Sequence, residues 1–161
     1  MGVSGSGKST IGSEVARELE LPFFDADSLH PAANIELMAA GTPLSDRDRH
    51  PWLVEVGAKL FSSHQTGLVM ACSALKRTYR DIISRDSPSA AFVHLSCSRE
   101  VLQNRMEART DHFMPPHLLD SQLAALEPLR EDEIGWTVEA IRPVGVVVAD
   151  VVRLVRSSLS R

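Results

Sequence analysis

The sequence predicts an α/β fold in which helices flank a parallel sheet. Apolar strand-like segments alternate with helical patterns along the chain, and this alternation is typical of parallel sheets that are covered by helices. A glycine-rich segment at residues 2–9 directly precedes the first helical pattern, which is the usual position of a phosphate-binding loop in such folds. Because 161 residues are enough for one complete core, we expect residues 1–161 to form a single domain.

Composition and charge restrict the possible classes of function. The chain is 43% apolar and 24% charged, as in ordinary globular domains. It has 17 Lys and Arg residues against 21 acidic ones, a net charge of −4, which disfavours a general nucleic-acid binder. No apolar run has the length of a membrane span, no secretory signal is visible, and Cys72 and Cys97 lack zinc-site spacing. We therefore expect a cytoplasmic protein with reduced thiols and with neither nucleic-acid nor membrane partners.

The N-terminal segment matches the phosphate-binding pattern G-x-x-x-x-G-K-[ST], the P-loop, without a mismatch. Its residues are Gly2, Val3, Ser4, Gly5, Ser6, Gly7, Lys8 and Ser9. Glycines at this spacing let backbone N–H groups point at a β-phosphate, and the following helix directs its positive end to the same place. Lys8 would reach the β- and γ-phosphates, and the Ser9 hydroxyl would bind Mg²⁺. The motif predicts a three-layer P-loop NTPase fold with ATP and Mg²⁺ as cofactors, and the alternative is a chance glycine-rich turn.

The first half of the chain contains three helical patterns and two strand patterns. Ile11 and Val15 belong to one apolar stripe of the first helix, which Pro22 ends. Pro31 favours a helix start and Gly41 a helix end. The predicted elements are a helix over 8–20, a strand over 23–27, a helix over 31–41, a polar turn over 42–48, a helix from 49 or 51 to 64 and a strand over 68–72.

The second half continues the same alternation. Ser98 is a suitable N-cap, prolines at 115 and 116 indicate a loop, and Val148, Val151 and Val155 form a helical stripe near the C-terminus. The predicted elements are a helix over 76–84, a strand over 91–95, a helix over 98–109, a loop over 110–116, a helix over 117–126, a strand over 136–141 and a C-terminal helix.

The P-loop lacks the strand that normally precedes it. P-loops follow a buried strand, whereas only Met1 stands before Gly2. We therefore expect a few apolar residues to precede Met1 and to form the missing strand. Intact-mass and N-terminal analysis of the natural protein tests this expectation.

Two carboxylates stand at the end of the strand that follows the first helix. Ligands of open α/β sheets bind beyond the carboxyl ends of the strands, and alternation places the side chains of Asp25 and Asp27 on one face. One can hold Mg²⁺ through water while the other accepts a proton from a substrate hydroxyl, or both can merely cap a turn. The strands over 68–72 and 91–95 end without Asp, and no D-x-x-G or N-K-x-D segment follows, which disfavours a GTPase or motor ATPase.

Cationic residues are candidates for phosphate and substrate binding. Arg105 and Arg109 lie four residues apart before the proline-containing loop, where they can clamp phosphates and stack on a base, or form a solvated basic face. A small acidic substrate needs at least one bidentate arginine. The basic residues near the expected pocket are Arg47, Arg49, Lys76, Arg77 and Arg80. For His30 alone, a structural role is more common than a functional one.

Beyond the P-loop, the chain contains a series of specific short segments. They are Asp25-Ala-Asp-Ser-Leu-His-Pro31, Gly41-Thr-Pro-Leu-Ser-Asp46, Asp48-Arg49, Pro51-Trp52-Leu53, Cys72-Ser-Ala-Leu-Lys76, Tyr79-Arg80-Asp81 and His112-Phe-Met-Pro-Pro116. In this order and spacing, the chain resembles the small P-loop gluconokinases from Met1 to about residue 129. Many kinases share the P-loop, whereas D-x-D-x-x-H-P and C-S-A-L-K are much more specific.

The resemblance implies a nucleoside-monophosphate-kinase-like fold with a five-stranded parallel sheet and a small mobile lid at about residues 110–126. It implies phosphoryl transfer from ATP to the 6-hydroxyl of D-gluconate by a cytoplasmic homodimer. The implied site consists of residues 2–9 for ATP, Ser9 and Asp25 for the metal, Asp27, His30, Arg49, Lys76 and Arg80 for gluconate, and Lys8, Asp27, Arg105 and Arg109 for catalysis.

The chain departs from the family pattern in two further places, and two alternative functions stay open. Thr110-Asp111 stands where a glycine usually precedes the His-Phe of the lid, so lid mobility could differ. The likeness fades after residue 129, where adenine contacts near Arg142 and Pro143 would lie. The alternatives are a related kinase of the shikimate-kinase type and a nucleotide-binding module without catalysis.

Overall fold

A computed structural model of the chain describes residues 1–108 and 116–159. This part forms seven α-helices and four short β-strands. The elements are α1 (Lys8–Leu19), β1 (Phe23–Asp25), a 3₁₀ turn (Ala26–Leu29), α2 (Ala32–Ala39), α3 (Asp46–Ser62), β2 (Val69–Ala71), α4 (Arg77–Asp86), β3 (Phe92–Ser96), α5 (Arg99–Glu107), α6 (Pro116–Ala125), β4 (Gly135–Glu139) and α7 (Val144–Leu159). The predicted α/β class and the order of the elements are confirmed. Within these residues, no helix combines the length and the apolar character needed to cross a membrane.

The strands form two parallel pairs. β1 pairs with β2, with Phe24 opposite Met70, and β3 pairs with β4, with His94 opposite Thr137. The resemblance implies one five-stranded sheet, whereas the described residues form four strands in two separate two-stranded sheets. The backbone of Met1 and the start of the P-loop run between them.

Helices cover both faces of the strand pairs. On one face, α1 and α7 pack over β3 and β4 through a cluster that includes Ile11 and Val147. On the other, α3 and α4 enclose Trp52 and Ile83. A third cluster joins the P-loop to α5 and α6, and its buried members are Val3, Leu75, Leu102 and Leu119. Since burial of such a side chain contributes about 1.5–3 kcal/mol, this third cluster fixes the position of the P-loop.

Two elements near the site differ from the sequence prediction. α3 begins at Asp46, within the predicted polar turn, because the Ser45 hydroxyl accepts a hydrogen bond from the Asp48 amide at 3.3 Å and the Asp48 carboxylate accepts one from the Ser45 amide at 2.8 Å. This reciprocal capping box stabilises an earlier helix start than Pro51 suggested. The predicted strand over 23–27 ends at Asp25, so Asp27 lies in the 3₁₀ turn.

Candidate active site

The P-loop curls around the N-terminus of α1. Gly5 and Gly7 have φ angles of +79° and +92°, a region that L side chains rarely adopt. A Cβ atom on Gly5 would also lie 3.3 Å from the carbonyl oxygen of Leu102, because α5 presses against the loop. α1 begins without a side-chain cap, and a helix start of this kind favours an anion. The Lys8 ammonium donates to the Val3 carbonyl at 3.0 Å and thus lies across the loop.

The two predicted metal ligands, Ser9 and Asp25, lie beside this loop. The Ser9 hydroxyl donates to one carboxylate oxygen of Asp25 at 2.7 Å, and the other oxygen accepts a hydrogen bond from the Asp27 amide at 3.1 Å. Among the residues that the structure describes, no group of three His, Cys, Asp or Glu side chains forms a metal cluster. A hydroxyl and one carboxylate fit Mg²⁺, which usually takes one or two protein oxygens and completes its shell with phosphate oxygens and water.

The 3₁₀ turn places Asp27 and His30 next to the metal pair. Asp27 is exposed, and its carbonyl accepts a hydrogen bond from the His30 amide at 3.3 Å. The turn is held by Trp52, whose indole donates to the Ala26 carbonyl at 2.7 Å and whose ring stacks on His30 with centroids 4.3 Å apart. Burial lowers the pKa of His30, while Asp27 acts to raise it and Arg49 to lower it. Both charged groups are therefore close enough to act on this ring.

A second cluster of polar residues lies at the start of α3 and α4. The Lys76 ammonium donates to both carboxylate oxygens of Asp46, at 2.7 and 2.8 Å, and the Tyr79 hydroxyl donates to the same carboxylate. The hydrogen bonds from Lys76 and Tyr79 lower the pKa of Asp46, whereas burial and the bond to Asp46 raise the pKa of Tyr79. The Arg49 guanidinium lies 5.9 Å from the centroid of the Tyr79 ring. It has no carboxylate partner within the described part of the chain.

Arg80 is not brought to this site. Its side chain is 1% exposed and pairs with Glu133, whose side chain is 6% exposed. Every N–H group of the guanidinium donates within the chain, to Glu133 and to the carbonyls of Ala74, Leu75, Glu127 and Pro128. The predicted substrate-binding role of Arg80 does not fit this position, because no donor is left for a substrate carboxylate.

The predicted lid arginines are described only in part. Arg105 is half-buried and donates to the Ala140 carbonyl, beyond the end of β4, at 2.7 Å, and to the Cys97 sulfur at 3.5 Å. Arg105 is thus anchored at the carboxyl ends of β3 and β4. Arg109 and residues 110–115 of the predicted lid lie outside the described residues. The rest of the predicted lid, residues 116–126, contains α6.

The sequence is similar to those of known kinases over most of its length. A family model described as shikimate kinase matches residues 4–133. The chain is 48% identical over 136 residues to the thermosensitive gluconokinase of Escherichia coli (strain K12), covering 83% of this chain and 72% of the relative. It is 41% identical over 159 residues to the thermoresistant gluconokinase of the same strain, covering 97% and 91%. The chain belongs to the gluconokinase family. The predicted family and enzyme class, a kinase, are thereby confirmed.

Solved structures distinguish the gluconokinase family from its wider fold group. A gluconokinase from Sinorhizobium meliloti 1021 superposes with a TM-score of 0.88 at 41% identity, covering 99% of this chain and 91% of that chain. A shikimate kinase from Acinetobacter baumannii in complex with shikimate has a TM-score of 0.65 at 19% identity, covering 98% and 90%. The second similarity shows a shared fold alone.

Sequence reasoning missed one contact of this gluconokinase-family site. The Ser4 amide donates to the side-chain oxygen of Gln122 at 2.7 Å, and the Gln122 amide nitrogen donates to the Ser4 hydroxyl at 3.3 Å. α6 therefore contacts the P-loop directly. A signal was present, since Gln122 lies three residues after the buried Leu119 and on the same helix face, where a polar residue needs a partner.

Proposed function

We propose that the protein transfers the γ-phosphoryl group of ATP to the 6-hydroxyl of D-gluconate, which gives 6-phospho-D-gluconate and ADP. The observation that carries the proposal is the exposed carboxylate of Asp27 directly beyond the Ser9–Asp25 pair of the P-loop. In addition, identities of 41–48% to gluconokinases favour gluconate over shikimate as the acceptor.

The residues around the P-loop favour an anionic donor. The N–H groups of the loop and of the first turn of α1, together with the Lys8 ammonium, provide positive charge for the β- and γ-phosphates. Ser9 and Asp25 would hold Mg²⁺, which neutralises charge on the phosphoryl group when bound. Asp25 is already oriented by its hydrogen bond from the Asp27 amide, so Asp25 is the better candidate for the metal and Asp27 for the substrate.

Arg49 is the best candidate to bind the carboxylate of gluconate. Arg80 uses all its donors inside the protein, whereas the guanidinium of Arg49 only approaches the Tyr79 ring. A guanidinium fork binds a carboxylate through two parallel hydrogen bonds. Lys76 adds a second positive charge, and its ammonium has three donors, so it can hold Asp46 and still contact substrate. His30, stacked on Trp52, would line the same pocket.

Asp27 would position the acceptor and take its proton. The oxygen of the 6-hydroxyl forms a bond to the γ-phosphorus, the bond from that phosphorus to the β–γ bridging oxygen breaks, and the hydroxyl proton moves to the Asp27 carboxylate. Closure of a lid formed by residues 110–126 would exclude water, which competes as an acceptor. Arg109, with Arg105 at its anchored position, would add positive charge to the transferring group.

The proposal also covers the domain organisation, location, assembly and partners of the enzyme. We propose that residues 1–161 act as one domain, that the protein works in the cytoplasm as a homodimer, and that its partners are gluconate and ATP rather than nucleic acid or membrane. Sedimentation analysis tests the homodimer.

A coupled ADP-release assay of the purified protein tests the reaction. It compares D-gluconate, shikimate and no acceptor in the presence of ATP and Mg²⁺. We expect ADP release that depends on gluconate and a product phosphorylated at the 6-hydroxyl. Turnover with shikimate but not gluconate would support the related-kinase alternative. Stabilisation by nucleotide without turnover on any acceptor would support a non-catalytic binding module.

A further inference from the structure

Helix α2 is anchored to the rest of the protein by a polar residue. Its sequence is rich in apolar side chains, yet Ile35 and Met38 are 51% and 42% exposed. Among the residues of α2, which the structure describes in full, Asn34 alone is buried, with 4% of its surface exposed. Because a buried amide needs hydrogen-bond partners, the contacts of Asn34 identify what α2 is anchored to.

The orientation of the Asn34 amide follows from its shorter hydrogen bond. Its side-chain nitrogen donates to the Asp48 carbonyl, in the first turn of α3, at 2.8 Å. A carbonyl oxygen only accepts hydrogen bonds, so the group that faces it must be the NH₂ end of the amide. The reverse orientation would bring two acceptors together inside the protein. Asn34 thus joins α2 to the start of α3.

The same nitrogen determines which nitrogen of His30 carries the proton. It lies 3.4 Å from Nδ1 of His30, and an amide NH₂ group has two hydrogens. One hydrogen is donated to Asp48, and the other is directed at Nδ1, which must therefore be an acceptor. Since a neutral imidazole carries its proton on one ring nitrogen only, the proton of His30 is on Nε2.

The surroundings of His30 favour the neutral ring. The residue is 8% exposed and stacks on Trp52. Burial lowers the pKa of His30, while Asp27 of the preceding 3₁₀ turn acts to raise it and Arg49 of α3 to lower it. Protonation of Nδ1 would also place an N–H donor in front of the Asn34 nitrogen, which cannot accept. At neutral pH the ring therefore offers one donor, Nε2–H, on the side away from α2.

We propose that Asn34 is a positioning residue of the acceptor site, which holds His30 in the tautomer with Nε2 protonated so that the ring donates a hydrogen bond to an oxygen atom of the acceptor. The inference rests on the proposed kinase function, in which Asp27 and His30 contact the sugar acid. A donor suits this acceptor, because its carboxylate and hydroxyl oxygens all accept hydrogen bonds. The opposite tautomer would present a bare ring nitrogen, which can bind a hydroxyl only as an acceptor.

NMR of the ligand-free protein with ¹⁵N-labelled histidine measures the tautomer directly. His30→Phe identifies the signals of His30, and the ¹⁵N shifts distinguish a ring nitrogen that carries a hydrogen from one that does not. At neutral pH we expect the hydrogen on Nε2 and none on Nδ1. A hydrogen on Nδ1 of the parent protein would overturn the proposal.

Two substitutions of Asn34 test whether it sets this tautomer. Asn34→Asp keeps the size of the side chain but has only acceptors, so it should move the hydrogen to Nδ1 and raise the pKa of His30 by about 1–3 pH units. Asn34→Leu removes the donor at similar volume and should give a mixture of both tautomers. Ile35→Ala, at an exposed position of the same helix, is the control and should leave the His30 signals unchanged. An unchanged tautomer and pKa in Asn34→Asp would overturn the role of Asn34.

Steady-state kinetics tests the consequence for the acceptor. Asn34→Leu should raise the KM for gluconate about three- to tenfold and keep the KM for ATP within about twofold of the parent. Ile35→Ala should change neither constant. Equal increases of both KM values, or no increase, would overturn a role in acceptor binding. Absence of gluconate turnover in the parent protein would instead refute the proposed function, and the NMR measurements would still decide the tautomer.

Discussion

Replacement of Arg80 by methionine tests whether this residue stabilises the fold or binds substrate. Methionine fills much of the aliphatic volume of arginine but donates no hydrogen bonds. In Arg80→Met, the carboxylate of Glu133 stays buried without its cation, and the carbonyls of Ala74, Leu75, Glu127 and Pro128 lose a donor. The structure therefore predicts a large loss of stability.

The size of this loss follows from the burial of the pair. Breaking a buried ion pair by removal of one partner costs about 3–5 kcal/mol, and the side chains of Arg80 and Glu133 are only 1% and 6% exposed. For a chain of this length, each kcal/mol corresponds to about 2–4 °C. Arg80→Met should therefore lower the Tm by about 6–20 °C. The double variant Arg80→Met/Glu133→Gln should recover part of this loss, because it removes the uncompensated charge.

Thermal unfolding followed by circular dichroism, together with gluconate kinetics, separates the two roles. Arg49→Met serves as the matched control, since it removes a guanidinium that only approaches the Tyr79 ring. We expect the control to keep its Tm within about 3 °C and to raise the KM for gluconate at least tenfold, about 1.4 kcal/mol of lost binding. If Arg80→Met instead kept its Tm and raised the KM for gluconate as Arg49→Met does, the structural role of Arg80 would be refuted.

Substitutions at four other positions have distinct expected results. Lys8→Ala should abolish most of the turnover measured by ADP release, because the Lys8 ammonium contacts the β- and γ-phosphates. Its Tm should change little. Asp27→Asn should lower kcat by about two to four powers of ten, and a loss below about tenfold would indicate positioning alone. Gln122→Ala should raise the KM for ATP about three- to tenfold through the loss of two hydrogen bonds to the P-loop, and Gln122→Glu should raise it further because a carboxylate repels phosphate. Burial lowers the pKa of His30 from 6.5, so its contribution to stability is complete above that pH and is lost on acidification. Between pH 7.5 and 5.5, the Tm of His30→Phe should therefore fall by less than the Tm of the parent protein. Equal decreases would argue against a contribution of His30 to the pH dependence of stability.

The fold was largely predictable because each element carries a local signal. Apolar stripes and turn residues gave the type and order of the helices and strands. The start of α3 was missed because Pro51, typical of the first helical turn, outweighed the Ser45–Asp48 capping box. The early end of β1 was missed because a 3₁₀ turn capped by Asp25 has no apolar period that separates it from a strand.

The candidate site was predictable where the chemistry is local in sequence. The P-loop is a sequence motif that includes Ser9, and Asp25 ends the next strand along the chain. The topology of the fold must bring these two residues together. Arg80 was placed in the pocket because it follows the β2 loop closely in sequence. It shares a buried face of α4 with Ile83, however, and its carboxylate partner Glu133 is 53 residues away, a distance that no periodicity can bridge.

The hydrogen-bond partners of each cationic residue determine whether it stabilises the fold or is available to bind substrate. Arg80 fastens the loop after β2 to the segment that follows α6, where the Glu127 amide also donates to the Leu75 carbonyl at 2.8 Å. α6 itself is tied to the P-loop by Gln122. The loop that carries Lys76 and the loop that carries Lys8 are therefore both tied to α6 and to the segment that follows it. These contacts lie within the protein and do not depend on either substrate. A guanidinium with saturated donors can serve this purpose, whereas recognition of an incoming carboxylate requires one that has donors to spare, as Arg49 does.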